Sequence, residues 1–219
     1  MIQVIKASGN LEPLSLNKIN QSLAQAGANR ATIDKVLAEL TPKLYDKITT
    51  KEIYRRVYEL LAHYQQRQAG RYGLKPALFS LGPSGYRFEK FIAQLFTAMG
   101  YRTQTQVMMA GQCVSHEVDV VAQKGKEIAL IECKFHQRPG TKCDIKTALY
   151  IQARFEDISQ KYPGIYSQIW LVTNTKLTTQ AISYGQCRNM QLLAWRYPEA
   201  MGLERLISKY NLYSLLNPS

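Results

Sequence analysis

The sequence predicts an α/β protein in which a mixed sheet flanked by helices is preceded by a small, mainly α-helical domain. From residue 85 onward, apolar strand-like runs alternate with helix-like segments, a pattern typical of a partly parallel sheet. Before that point, apolar residues recur at spacings of three and four, which indicates helices. The stretch 70–85 is rich in glycine and proline and predicts a junction. We therefore expect domains at 1–82 and 83–219.

The first domain is predicted to begin with two short strands, at 4–6 and 11–14, around a turn at Ser8–Asn10. Three helices follow, each with apolar residues on one face. The residues that set their limits are Ser15 as the first N-cap, Thr32 and Pro42 near the ends of the second helix, and Thr49 with Glu52 as a capping box for the third. The expected core residues are Ile19, Leu23, Ala26, Ile33, Val36, Leu37, Leu40, Ile53, Val57, Leu60 and Leu61.

The second domain is predicted to open with a helix capped by Ser84, whose core-facing residues are Phe88, Phe91, Ile92, Leu95 and Met99. The elements expected after it are strands at 114–122 and 127–135 joined by the loop 123–126, a helix at 142–159, a strand at 169–173, a helix at 178–187, a strand at 192–195 and a helix from Glu199.

The formal net charge of +12 favours a polyanionic partner, because Lys and Arg dominate non-specific binding to nucleic acid. A basic but merely solvated surface is the alternative. No run approaches the roughly 18 consecutive apolar residues of a membrane span. The first residues also lack the regions of a signal peptide. We expect a cytoplasmic protein without a membrane partner.

The four cysteines show no Cys-x-x-Cys spacing, so in a reducing compartment we expect free thiols. Two Cys-x-x-His pairs, Cys113 with His116 and Cys133 with His136, raise the alternative of a zinc site. A spacing of three on a regular strand points the two side chains to opposite faces. This argues against convergence of the four on one metal.

Three charged residues interrupt the two apolar strands of the predicted hairpin. Glu132 and Lys134 share one face of the strand 127–135, and Asp119 lies among valines in the strand before it. If the hairpin closes symmetrically around 123–126, Asp119 opposes Leu130 and is a diagonal neighbour of Glu132. Shifting the pairing by two residues keeps both carboxylates on one face.

Two convergent carboxylates beside a lysine form a site suited to a hard cation, Mg²⁺ or Mn²⁺. Such a cation activates water for phosphodiester hydrolysis, and the lysine can orient that water or stabilise the developing negative charge. Glu89, at the border of the apolar face of its helix, is a candidate third carboxylate. The alternative is a surface ion pair between Glu132 and Lys134, with Asp119 in an independent pair.

From residue 85 onward the chain resembles the PD-(D/E)XK nuclease superfamily, in particular the Mrr-like restriction endonucleases. The segments that carry the resemblance are Tyr86–Glu89, His116–Val121 and Ile131–Lys134. It implies a restriction-endonuclease-like fold, with Asp119 and Glu132 as metal ligands, Lys134 assisting the water and Glu89 supporting the site. In Mrr-like proteins a glutamine of the next helix often joins the site, which implies Gln152. For His116 we expect a structural hydrogen bond.

The first domain resembles an ATP-cone, the regulatory nucleotide-binding module of ribonucleotide reductases. The resemblance lies in Val4–Lys6, Gly9, Leu16–Ile19 and Tyr45–Thr50. It implies that Lys6 and Lys18 meet the phosphates of ATP or dATP and that Thr50 and Tyr54 border the base. The second basic residue usual after Lys6 is Ala7 here. A degenerate cone that contacts DNA or dimerises is therefore the alternative.

Together these features predict a metal-dependent endodeoxyribonuclease whose partners are DNA and an effector nucleotide, ATP or dATP. The sequence has no GxxxxGK[ST] motif, so we expect the nucleotide to be an effector and not a fuel. Two alternatives stay open: a catalytically silent, nucleotide-responsive DNA-binding regulator, and a junction-resolving nuclease. The oligomeric state, a homo-oligomer included, also stays open.

Overall fold

The computed structural model describes residues 2–6, 9–82 and 85–216. The chain divides into two compact units, residues 1–76 and 77–219, whereas the predicted domain limit lies after residue 82. The turn residue Ser8, the substituted position Ala7 and the expected cap Ser84 lie outside the described residues. Across the described part of the chain, no helix has the length and apolarity needed to cross a membrane.

The first unit contains a three-stranded sheet and helices. Its strands are β1 (Gln3–Ile5), β2 (Leu11–Pro13) and β3 (Ile48–Thr49), and its helices are α1 (Leu16–Gln25), α2 (Arg30–Leu40), α3 (Thr50–Tyr64) and most of α4 (Gln66–Phe79). β1 lies in the middle, antiparallel to β2 and parallel to β3. The predicted apolar residues of α1, α2 and α3 form the core, with Leu37 and Leu60 partly buried at its edge.

Side-chain caps begin the helices of this unit as the sequence predicts. Ser15 Oγ accepts a hydrogen bond from the Lys18 backbone at 3.3 Å, and Thr49 Oγ1 accepts one from the Glu52 backbone at 3.1 Å. Only half of the predicted capping box forms, because the Glu52 carboxylate instead pairs with Arg56 at 2.8 Å. Helix α2 is capped by Asn29 and so begins two residues before the predicted start.

The boundary between the two units, after residue 76, falls within the predicted junction at 70–85, but α4 continues through most of that stretch with Pro76 inside. Helical residues Ala69, Leu74 and Leu78 are buried, and this burial outweighs the low helix propensity of the glycines. At Gly73 a Cβ would lie only 3.1 Å from the Tyr58 ring. The glycine therefore permits close packing of α4 on α3 instead of ending the helix.

The second unit is a mixed five-stranded sheet with helices, as predicted. Its main strands are β4 (Arg102–Ala110), β5 (Ser115–Lys124), β6 (Glu127–Lys134), β8 (Gln168–Thr173) and β10 (Gln191–Leu193), and its helices are α5 (Gly85–Ala98), α6 (Ile145–Lys161), α7 (Thr179–Cys187) and α8 (Leu203–Lys209). The sheet order is β10-β8-β6-β5-β4, antiparallel from β4 to β6 and parallel from β6 to β10. A separate pair joins β7 (Lys142–Cys143) and β9 (Lys176–Leu177).

Two strand regions of this unit differ from the sequence prediction. β4 was not predicted; it is an edge strand in which only Met109 is buried, so its apolar signal is weak. The β5–β6 hairpin is two residues tighter than expected, since Lys124 pairs with Glu127 and Ala122 with Ala129. Gly125 has a φ of +60°, which suits a two-residue hairpin turn.

The last helix also begins later than predicted, at Leu203 instead of near residue 199. The chain first makes a tight turn in which Ala194 and Tyr197 form an isolated bridge. Gly202 then precedes α8, and its missing Cβ allows the backbone of Arg196 to approach.

Candidate functional site

The hairpin β5–β6 brings Asp119 and Glu132 together. Asp119 Oδ2 accepts a hydrogen bond from the backbone N–H of Cys133 at 2.7 Å, directly beside Glu132. The recorded pairing ends at Val120 and Ile131, and Asp119 and Glu132 are the next residues beyond that pair on their two strands. Opposed residues share a face of the sheet. The register therefore differs from the predicted one by two residues and keeps the carboxylates together.

The pairing of β5 with its other neighbour, β4, is interrupted at Asp119. Thr105 pairs with Val120 and Val107 with Val118, which leaves Gln106 and Asp119 at the intervening step. Gln106 has a φ of +54°, a conformation that non-glycine residues rarely adopt. Sparsely populated backbone conformations cluster at functional sites. The interruption thus coincides with the residue for which the sequence implies a catalytic role.

Glu89, from α5, is electrostatically part of the same group. Burial raises the pKa of Glu89 to about 7, with further contributions from the negative charges of Asp119 and Glu117. Burial likewise raises the pKa of Glu132 to about 8, with Asp119 as the next cause. Lys134, exposed at the end of β6, lowers the pKa of Asp119, while burial has the larger, raising effect. We call Glu89, Glu117, Asp119 and Glu132 the carboxylate group.

Arg154 of α6 also belongs to this site, and the sequence analysis missed it. Its Nη1 lies 2.8 Å from Glu132 Oε1, and the two side chains are only 13% and 14% exposed. Arg154 occurs three residues after the buried Ile151 and four before the buried Ile158. A charged residue on the apolar face of a helix was the signal that could have found it.

The structure does not join Gln152 to the carboxylates by a hydrogen bond. Its Nε2 donates to Glu156 Oε1 of the same helix at 3.0 Å. Its Oε1 is buried and finds no hydrogen-bond partner within the described residues. Gln152 and Arg154 are two residues apart, so they point in different directions around α6. A catalytic role for Gln152 stays a prediction.

His116 holds a structural hydrogen bond instead of facing the carboxylates. Its Nε2 lies 2.7 Å from Asp157 Oδ2 of α6. The Asp157 carboxylate also accepts hydrogen bonds from the backbone of Cys113 at 2.8 Å and Val114 at 3.3 Å. Asp157 therefore ties the turn between β4 and β5 to helix α6.

All four cysteines of the chain carry free thiols.

The donors of the carboxylate group fit a divalent hard cation. They are all carboxylate oxygens, and burial, followed by the negative charges of neighbouring carboxylates, raises the pKa of Glu89 and Glu132. Within the described residues, no three or more His, Cys, Asp or Glu side chains meet in a metal-binding cluster. Mg²⁺ is commonly held by one or two carboxylates, with water and phosphate completing its coordination. Asp119 and Glu132 could supply those two.

Two lysines of this unit lie far from the carboxylates, at the tip of the β5–β6 hairpin. Lys124 and Lys126 lie at the tip of the hairpin, five to six residues from Glu132 along β6. At about 3.4 Å per residue this is roughly 17–20 Å. Lys124 Nζ also donates to the Met99 carbonyl at 3.0 Å. Lys134 is the last residue of β6, and the exposed Arg138 follows four residues after it.

In the first unit, the four predicted nucleotide-binding residues line a single cleft of about 200 Å³. They are Lys6, Lys18, Thr50 and Tyr54. Glu12, which the sequence analysis did not single out, lies between the lysines, 3.3 Å from Lys6 Nζ and 3.8 Å from Lys18 Nζ. Tyr54 stacks on Tyr72, with ring centres 4.8 Å apart. The cleft therefore combines two lysines, one carboxylate and a stacked pair of tyrosines.

Two protein families match the chain. The family Mrr_cat, described as restriction endonuclease, matches residues 82–196, slightly more than half of the chain. The ATP cone domain matches residues 2–73. The two matched segments do not overlap, and the carboxylate group and the cleft fall in different ones.

Among relatives, an uncharacterized protein of Archaeoglobus fulgidus is 39% identical over 124 residues, which cover 57% of this chain and 69% of the relative. The crystal structure of a protein of unknown function, AF1548, is similar with a TM-score of 0.55 and 37% identity, covering 58% of this chain and 67% of that one. The MspJI restriction endonuclease bound to a 27-mer oligonucleotide reaches 12% identity and a TM-score of 0.38, over 57% of this chain and 29% of that one.

Proposed function

Because the chain belongs to the Mrr_cat restriction endonuclease family and carries an ATP-cone domain, we propose that it is a divalent-metal-dependent endodeoxyribonuclease regulated by ATP or dATP. The observation that carries the proposal is the convergence of Asp119 and Glu132, held by the hydrogen bond from Cys133. Lys134 lies close enough to lower the pKa of Asp119. This is the combination that phosphodiester hydrolysis needs.

In this proposal Asp119 and Glu132 hold Mg²⁺ or Mn²⁺. When bound, the cation supplies Lewis-acid activation of water and neutralises charge on the phosphate. Lys134 donates hydrogen bonds that orient the attacking water or stabilise the developing negative charge. Glu89 supports the site, and its negative charge contributes to the raised pKa of Glu132. Hydrolysis adds water across one P–O bond and leaves a phosphate monoester and a free hydroxyl.

The cleft of the first unit supports an effector role for nucleotide. Lys6 and Lys18 offer two ammonium groups, which suit phosphate as flexible point charges. Thr50 and Tyr54 line the same cleft and are the residues expected near the base. Regulation requires that the nucleotide bind two states of the protein with different affinity.

The location in the cytoplasm stays a prediction, and the oligomeric state stays open.

The function is tested by incubating the full chain with plasmid, methylated plasmid and four-way junction DNA, with Mg²⁺ or EDTA and with or without ATP or dATP. The proposal expects nicked or linear plasmid with Mg²⁺, none with EDTA, and a rate that changes with nucleotide. Binding of DNA without any cleavage would instead identify a silent regulator. Cleavage confined to the junction would identify a resolving nuclease.

A further inference from the structure

Arg154 makes the most buried arginine–glutamate ion pair recorded among the described residues, since its two side chains are 13% and 14% exposed. Arg154 Nη1 lies 2.8 Å from Glu132 Oε1, and Arg154 Nε is buried with no hydrogen-bond partner within the described residues. Arg196, by contrast, holds Glu204 through two nitrogens, Nε at 2.5 Å and Nη2 at 3.1 Å. A buried N–H donor without an acceptor is costly, so Arg154 Nε has the capacity to bind a further acceptor.

The partner of Arg154 is also the residue that the proposed cation requires. Arg154 lowers the pKa of both Glu132 and Asp119, so its charge acts on the two proposed ligands at once. The positive charge of the guanidinium therefore partly neutralises the carboxylates that would otherwise bind a metal cation. A divalent cation on Glu132 would repel it at short range and weaken the ion pair.

The side chain is placed to turn toward another anion near the same site. Arg154 lies over the ring of Tyr150, with its Cζ 5.3 Å from the ring centre, and Tyr150 is 63% exposed. A planar guanidinium can bind two oxygens of a phosphate through two parallel hydrogen bonds. The phosphate of a nucleic acid approaching the carboxylates would supply those oxygens.

We propose that Arg154 is an exchangeable counter-ion: it pairs with Glu132 while no cation is bound and moves to a phosphate oxygen of the nucleic acid once a cation occupies Glu132. This inference rests on the proposed nuclease function. It makes Arg154 an inhibitor of cation binding and a phosphate-binding residue of the loaded enzyme. A purely structural pair would show neither property.

The test measures cation binding and DNA binding separately on the full chain. Arg154→Met removes the competing charge, so calorimetry should show Mn²⁺ binding tighter by on the order of tenfold. Anisotropy with labelled duplex DNA should show a loss of about tenfold or more in Ca²⁺, since a charged hydrogen bond is lost, and little change in EDTA. Arg196→Met, which breaks the pair with Glu204, is the matched control and should leave both affinities unchanged.

Arg154→Lys keeps the inference testable if the methionine variant does not fold. It retains the charge, so Mn²⁺ affinity stays near that of the unaltered protein, while DNA affinity in Ca²⁺ falls because the ammonium lacks the planar fork. Weaker Mn²⁺ binding by Arg154→Met, or equal DNA losses in Ca²⁺ and EDTA, would overturn the exchange. If the unaltered protein binds Mn²⁺ but neither binds nor cleaves nucleic acid, the proposed function itself is wrong.

Discussion

Asp119 and Cys133 are joined across the β5–β6 hairpin by a hydrogen bond of 2.7 Å from the Cys133 backbone to Asp119 Oδ2. Cys133 directly follows Glu132 in β6. The bond therefore holds the Asp119 carboxylate next to Glu132 through the backbone of β6. It also lowers the pKa of Asp119 against the larger raising effect of burial. Asp119 Oδ1 is thereby left to act as an acceptor without moving the side chain.

Asp157 is predicted to stabilise the second unit in a pH-dependent way. Its hydrogen bond with His116 is the main cause that lowers the pKa of Asp157 from 3.8 to about 2. A lowered folded-state pKa means that this stabilisation is present above about pH 4 and is lost as the pH falls through 2. Asp157→Asn should therefore melt at a lower temperature than the unaltered protein at pH 7, with a difference that shrinks between pH 4 and pH 2.

The control for this series is Asp34→Asn, which removes an exposed pair with Arg30. Exposed pairs contribute little, so its melting temperature should stay close to that of the unaltered protein. A pH-independent difference for Asp157→Asn would contradict the assigned role of the carboxylate.

Gly111 is predicted to tolerate no side chain. A Cβ at this position would collide with the Asp157 carboxylate and with the Val114 carbonyl. Gly111→Ala should destabilise the protein by about 1–3 kcal/mol, as other overpacked sites do. Denaturant unfolding measures this, with Gly125→Ala as a comparison that meets strain from its φ of +60° but no neighbouring atom. Equal stability of Gly111→Ala and the unaltered protein would show that the turn can rearrange.

The sequence carries enough information for the sheet and its carboxylates, but not for the edges of the fold. Asp119 and Glu132 stand out because charged residues interrupt apolar strands, and the period of two preserves their shared face under a two-residue shift. Strand β4 was not predicted because an edge strand buries few of its side chains. Threonine and glutamine therefore occupy much of it, and the alternation of apolar and polar residues is missing. Helix α4 escapes because Gly73 and Pro76 resemble breakers until the contact with Tyr58 is known.

Arg154 could not be assigned from its position alone. The helical pattern sets it on the apolar face of α6, yet nothing in the sequence says that β6 brings Glu132 within 2.8 Å of it. The same holds for Glu12, whose pairing with both Lys6 and Lys18 depends on the antiparallel register of β1 and β2. Contacts between elements distant in sequence are what a single sequence leaves undetermined.

Nucleotide binding is predicted to depend on the two lysines of the cleft. Lys18→Ala should weaken the binding of ATP or dATP, because it removes one of two ammonium groups near Glu12. Lys43→Ala, an exposed lysine of the first unit that does not line the cleft, should have no effect. Calorimetry of the full chain with millimolar nucleotide measures both. Absence of heat from the unaltered protein would leave the cone without a nucleotide role.

DNA binding is predicted to weaken steeply with salt. The logarithm of the affinity should fall linearly with the logarithm of the salt concentration, with a slope of about −0.9 per neutralised phosphate. Arg138→Ala, at the end of the sheet that holds Glu132, should reduce this slope, whereas Lys126→Ala at the distant hairpin tip should change it less. Filter binding across a salt series compares the two. A nearly salt-independent affinity would indicate a partner other than nucleic acid.

The central claim is that Asp119 and Glu132 form the hydrolytic metal site, and cleavage by variants at these positions tests it most directly. Each of Asp119→Ala, Glu132→Ala and the volume-preserving Glu132→Gln should abolish Mg²⁺-dependent plasmid cleavage while DNA affinity stays nearly unchanged, since phosphates are held mainly by Lys and Arg. Lys134→Ala should slow cleavage without removing metal affinity. Arg196→Met, purified in parallel, should cleave normally. Cleavage by Glu132→Ala at the rate of the unaltered protein would contradict the account.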